Sequence, residues 1–147
     1  MNVVKSVQED GIVSIDIQWG NPEKTFIAYT SKGQWTWEEF YAAVGKLSEM
    51  AKSIDDRIAV IMDLRESVPA HGNALVHFRN AMRTVPENVT SLIFVGAVGF
   101  KGMLISMASK VIFPRPTMKF HFVGSLDEAR KLAAQLREPY NRIESKS

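Results

Sequence analysis

Ile58-Ala59-Val60-Ile61-Met62, running into Asp63, is the stretch that decides the fold. Five apolar residues with no polar break are too few for a helix of their own, and three of them are β-branched. A short continuous run of this kind reads as a strand covered on both faces. Leu92-Ile93-Phe94-Val95 repeats the signature. Between the two, Ala74, Leu75, Phe78, Ala81, Met82 and Val85 recur at helical spacing until Pro86 stops them. Two buried strands joined by a helix imply a right-handed crossover in a parallel sheet.

The same reading extends in both directions. On the amino side, Val13, Ile15, Ile17 and Trp19 alternate with Ser14, Asp16 and Gln18, the period of a strand with one wet face. Gly20 to Lys24 forms a turn and Thr25 to Thr30 a returning strand, so the chain is expected to open with a β-hairpin. Trp37, Phe40, Tyr41, Val44, Leu47, Ala51 and Ile54 then mark one face of a helix. Thr36 and Glu39 supply a capping box at its start, and Gly45 within it suggests close packing against the sheet. On the carboxyl side, Phe100, Met103, Leu104, Met107, Ala108, Val111 and Ile112 predict a helix that Pro114 and Pro116 end. Met118, Phe120 and Phe122 give a last strand. Ser125 and Glu128 cap a closing helix through Leu136, and the tail beyond Pro139 should fray. The expected fold class is α/β: a mixed, largely parallel sheet in the order β-β-α-β-α-β-α-β-α. It forms one domain over residues 1–147, with its core at about 12–136.

The hairpin, the apolar strand ending in Asp63-Leu64, the loop into a short helix and the closing segment FHFVGSLDEARKLAAQL (120–136) together resemble the SpoIIAA-like, or STAS, domains. That superfamily includes bacterial anti-sigma-factor antagonists and the cytoplasmic domains of sulfate transporters, besides an uncharacterised STAS/SEC14-like subgroup. The resemblance covers about Ile12 to Leu136 and implies a non-enzymatic interaction or regulatory domain. The antagonists open the helix after their third strand with an Asp-Ser-Ser-Gly-Leu-Gly-like segment, one serine of which is phosphorylated. Here those positions fall near His71, Gly72, Asn73 and Ala74, and none carries a hydroxyl. Ser67 stands several residues earlier. Kinase-dependent switching at the helix start is therefore not expected.

Composition sets further bounds. The chain has 147 residues, 46% hydrophobic and 23% charged, with no cysteine. Disulfides, thiolate metal sites and a cysteine nucleophile are excluded. Residues 1–10 lack the apolar run of a signal peptide, and the longest apolar stretch, Leu92 to Phe100, is far short of the ~20 residues of a membrane span. A cytoplasmic protein without membrane insertion is expected. Residues 1–100 hold 9 basic and 12 acidic side chains, residues 101–147 hold 9 basic and 4 acidic. The basic excess reads as the solvated face of the last helix. It is not interleaved with aromatics, so nucleic-acid binding is not expected.

The densest polar stretch between buried elements is Asp63 to Asn73, leaving the carboxyl end of a parallel strand, where open α/β sheets bind ligands. Arg65, Glu66, Ser67, His71, Gly72 and Asn73 are the expected partner- or ligand-contacting residues, with Phe100 and Met103 of the neighbouring helix start as an apolar anchor. The plain structural alternative is a solvated connection with Asn73 as helix cap. Asp63, Ser67 and His71 hold the residue types of a hydrolase triad, but no G-x-S-x-G elbow accompanies them. His71 and His77 are six apart, which does not match a helix-borne metal pair, and no metal or cofactor is expected. Gly96, Gly99 and Gly102 do not make the dinucleotide fingerprint and read as a tight strand-to-helix turn. Three functions stay open. The foremost is a regulatory domain that binds a protein partner, another protein or a second copy of itself. The alternatives are a binder of a small apolar or lipid-like ligand, for which Phe100, Met103 and Met107 would line the pocket, and an enzyme using the Asp63–Asn73 loop.

Overall fold

A computed structural model describes residues 3–8, 11–68, 74–96 and 118–146, and the side chains of 15–68, 76–96 and 118–136. The elements run β1 (Val3–Gln8), β2 (Gly11–Trp19), β3 (Phe26–Gln34), α1 (Trp37–Lys52), β4 (Ile58–Val68), α2 (Ala74–Met82), β5 (Val89–Val95), β6 (Lys119–Val123) and α3 (Leu126–Lys146). The six strands lie in one sheet in chain order. β1, β2 and β3 pair antiparallel, and β3 to β6 pair parallel. The mixed, largely parallel α/β sheet expected from the periodicities is thus the observed one. The helix expected over 100–112 lies outside the described residues.

The expected hairpin is present as β2 and β3, and β1 adds a third strand that makes it a meander. β1 pairs from Val3 opposite Asp16 to Gln8 opposite Gly11. Its residues, VVKSVQ, show no strict alternation. What makes them a strand is the open edge of β2 beside them, which no local pattern announces. The β2–β3 turn is closed by Asn21, whose side chain accepts from the Thr25 N–H (3.0 Å) and donates to the Thr25 hydroxyl (2.7 Å).

β4 and β5, added in one direction beside β3, place their right-handed crossovers on one face. The larger core accordingly joins α1 and α2 to that face: Phe40, Ala43, Val44, Leu47, Phe78 and Ala81 pack on Ile27, Tyr29, Val60, Leu92 and Phe94. α3 closes the other face, with Ala129 and Ala133 against Ala59, Ile61, Ile93 and Val95. Ile58–Met62 and Leu92–Val95 are buried at every position, as their unbroken apolar character requires.

The helix caps form where the sequence places them, as a full capping box at α1 and as the serine cap at α3. At α1, Thr36 Oγ1 accepts from the Glu39 N–H (3.1 Å) and Glu39 Oε1 from the Thr36 N–H (2.8 Å). At α3, Ser125 Oγ accepts from the Glu128 N–H (3.1 Å). The far end of α1 is tied to the start of β5 by Asn88, whose amide reaches the carbonyls of Ala51 and Ile54, both at 2.9 Å. Gly45 does not serve close packing: it is exposed, and a Cβ there meets nothing within 4 Å. Gly45→Ala is therefore expected to raise stability by about 1 kcal/mol, since only the helix penalty of glycine is removed. A rise of about 3 °C in melting temperature checks it.

Candidate functional site

The carboxyl ends of β3, β4, β5 and β6 share one edge of the sheet because the four strands are parallel. β4 does not turn into a loop at Asp63, as the polar composition suggested. It continues as strand to Val68, paired with β3 as far as Gln34. The pairing steps from Thr30 opposite Asp63 to Lys32 opposite Glu66, so β4 carries one extra residue there. Such a bulge reverses which face the following side chains take. Leu64 and Ser67 both reach the α1–α2 side, although their spacing alone puts them on opposite faces.

Two polar clusters result. Before and within the bulge, the Arg65 guanidinium grips Asp63 with Nε to Oδ1 at 2.9 Å and Nη2 to Oδ2 at 2.8 Å, while the Arg65 N–H adds a third bond at 3.2 Å. The side-chain hydrogen bond from Arg65 is the main cause that holds the Asp63 carboxyl below its ordinary value, against the opposing effect of burial. The stem of Arg65 lies over Gly96, which has φ +64° at the end of β5; a Cβ at Gly96 would run into it. Glycine here serves both the turn and the close approach. After the bulge, Ser67 Oγ accepts from the Trp35 indole N–H at 2.6 Å and lies 3.1 Å from the Ser31 hydroxyl. Trp35 and Ser31 are buried.

Beyond Trp35 the rings continue outward. Trp37 meets Trp35 edge-on at 4.9 Å, and His77 of α2 stacks on Trp37 at 4.7 Å and 20°. The Tyr41 hydroxyl and His77 Nδ1 are 2.9 Å apart. Tyr41 and Val68, 36% and 48% exposed, are the exposed large hydrophobic residues among those described; Tyr41 belongs to this ring cluster, and Val68 ends β4 opposite Gln34 at the same edge of the sheet.

Of the residues expected at the site, Arg65, Glu66 and Ser67 are described. Glu66 is exposed, opposite Lys32. His71, Gly72, Asn73, Phe100 and Met103 lie outside the described residues, as does the pocket expected around Phe100, Met103 and Met107. The triad types do not converge as far as they are described, since Asp63 is held by Arg65 and Ser67 by Trp35 across the bulge. His77 is the half-buried packing residue its position beside the apolar stripe suggests. His121 lies on the α3 side, opposite Phe120 and Phe122, and burial lowers its pKa. Among the described residues, no three His, Asp or Glu side chains cluster as a metal site requires. Ser31 and the Tyr41–His77 bond carried no signal in the sequence; the Trp35–Trp37 pair did, as aromatics at a helix entrance.

The Asp63–Arg65 geometry gives Arg65 a share in stability besides any role in recognition. A carboxylate whose pKa is lowered on folding stabilises the fold fully above its unfolded value, 3.8, and loses that contribution as pH falls through the folded value. Arg65→Ala is expected to destabilise the protein at neutral pH. The gap between variant and parent should narrow below the ordinary aspartate value, as denaturant melts at stepped pH will show.

No helix among the described residues is long and apolar enough to cross a membrane. No family model and no curated protein matches the sequence. Among solved structures, the chain is similar to an uncharacterised protein of the DUF3478 family from Shewanella loihica PV-4, described as having a SpoIIAA-like fold. The two share 12% identity, with 90% of this chain and 94% of that one covered and a TM-score of 0.55. At that identity the likeness concerns architecture, and it agrees with the strand order, the parallel pairings and the two-sided core: this chain has a SpoIIAA-like fold.

Proposed function

We propose that this chain is a non-enzymatic interaction domain that docks a protein partner on the carboxyl edge of β3 and β4, across Val68, Tyr41 and the Trp37–His77 stack. One observation carries the reading. The exposed large hydrophobics among the described residues stand at one edge of the sheet, Val68 at the end of β4 and Tyr41 within the aromatic cluster, and Arg65 and Glu66 supply charge beside Val68. An apolar centre with a polar rim is the anatomy of a recognition surface. The polar groups of this edge support recognition over catalysis, because they are spent on each other. Arg65 neutralises Asp63, Ser67 accepts from Trp35 rather than facing a base, and His77 Nδ1 is engaged by Tyr41. Ser67 is also poorly placed as a phosphorylation switch, since a phosphate would displace the indole N–H and the Ser31 hydroxyl.

A photo-crosslinking side chain placed at Val68 in the native host tests the proposal. A discrete adduct that disappears with Tyr41→Asp supports it, and an adduct of twice the chain's own mass identifies the partner as a second copy. The same probe at Gln18, exposed on the meander, is the control. Adducts at Gln18 with none at Val68 would place the function on the other part of the sheet and sink the reading.

A further inference from the structure

At the opposite end of the sheet, the amino ends of β4, β5 and β6 meet α3 around a pocket of about 130 Å³. Ala59 is in register with Ser91, and Ser91 with Lys119, so these three stand side by side across the strands. Alternation puts them on the α3 side, with Ile61, Ile93 and Val95. Small residues at three facing positions, Ala59 and Ser91 on the sheet and Ala133 on α3, leave the space open where larger side chains would close it. Its lining divides by chemistry. Arg57 and Lys119 bring positive charge, Thr90 and Ser91 bring hydroxyls, and Ala133 and Leu136 form an apolar wall. None of the described lining side chains is acidic.

We infer that this pocket binds a small amphiphilic carboxylate, its head between Arg57, Lys119 and the two hydroxyls and its short alkyl chain against Ala133 and Leu136. A guanidinium fork matches the two oxygens of a carboxylate, and charge-assisted bonds of this kind are the strong ones. Size limits the tail. A single water needs roughly 10–15 Å³ of such space, so the pocket takes about nine to thirteen water-sized groups. A carboxylate head uses less of that volume than a phosphate, leaving room for a chain along Leu136. Lys119 is exposed and Ser91 is buried, which sets the charged mouth at the surface and the hydroxyl further in. The site is independent of the interaction edge proposed above, being at the other end of the strands.

Titration of the isotope-labelled chain with sodium hexanoate, followed by amide resonances, tests the inference. The expected result is a saturable shift centred on Ala59, Ser91 and Lys119. Hexanol, which has the chain without the charge, and inorganic phosphate, which has the charge without the chain, should each bind at least about tenfold more weakly. Ala133→Leu, which fills the pocket, should abolish the hexanoate shift. Lys119→Glu, at an exposed position, should do so even if the filled variant folds poorly. Equal binding of hexanol or of phosphate, no saturable shift at these amides, or an undiminished shift in Lys119→Glu would each overturn the assignment.

Discussion

Val60→Asp is expected to leave no folded protein at neutral pH. Val60 is 0% exposed in the middle of β4, and its register neighbours, Ile27 on β3 and Leu92 on β5, are buried as deeply. A carboxylate there loses its hydration and gains no counter-charge from either neighbour, at a cost of several kcal/mol. Protonation would remove the charge but still bury a polar group among apolar ones, costing roughly 2–7 kcal/mol. Either cost rivals the ~5–15 kcal/mol that holds a domain together. Ile93 is also 0% exposed in a central strand, but His121 stands opposite it in register, so an aspartate there has a titratable neighbour. Val60 is the cleaner test. Circular dichroism and a thermal melt decide it, and a melting temperature near that of the parent would contradict the two-sided burial of β4.

Phe94→Ala should be the costliest truncation, at about 3–5 kcal/mol. The ring is 1% exposed and central to an aromatic group that joins three elements. Phe120 of β6 meets it edge-on at 5.3 Å, Phe122 stacks at 5.5 Å and 23°, and Phe78 of α2 lies at 6.3 Å. Neighbours on two other elements cannot all collapse into the space, so the cavity persists and its cost adds to the lost burial. β6 should respond most among the described strands. It is short, and its residues from Phe120 to Val123 are only partly buried, so its hold on the sheet depends on β5 pairing and on these rings. Urea denaturation gives the magnitude, and amide exchange should show β6 protection falling before that of β4. A loss under about 1 kcal/mol would mean that the cluster repacks freely, against the usual behaviour of such sites.

The candidate site was only partly legible in the sequence. The polar run after Met62 marked the carboxyl edge of the sheet, because side-chain character changes where a buried strand approaches the surface. The run itself reads as a loop, since Arg65-Glu66-Ser67 has none of the apolar content by which a buried strand is recognised. β3 extends beside it to Gln34 and keeps it in the sheet. Aromatics at Trp35 and Trp37 could be noted, but their meeting with Ser67 and His77 joins residues more than thirty positions apart.

What the sequence determined by itself is what local chemistry encodes. The apolar runs at Ile58–Met62 and Leu92–Val95 specify strands buried on both faces, the stripe from Trp37 to Ala51 specifies a helix with one packed side, and Thr36 and Ser125 specify where helices begin. Each signal lies within a few residues, and together they suffice for the order of the described elements from β2 onward and for the SpoIIAA-like architecture. The tertiary structure alone decided the recruitment of β1, the extension of β4 to Val68 and the extra residue that turns Ser67 toward Trp35. It also decided the grip of Arg65 on Asp63 over Gly96. Strand pairing is a contract between distant backbones, whose N–H and carbonyl groups are the same in every residue. Which segment satisfies which edge, and where the register slips, depends on what lies alongside rather than on the residues being read.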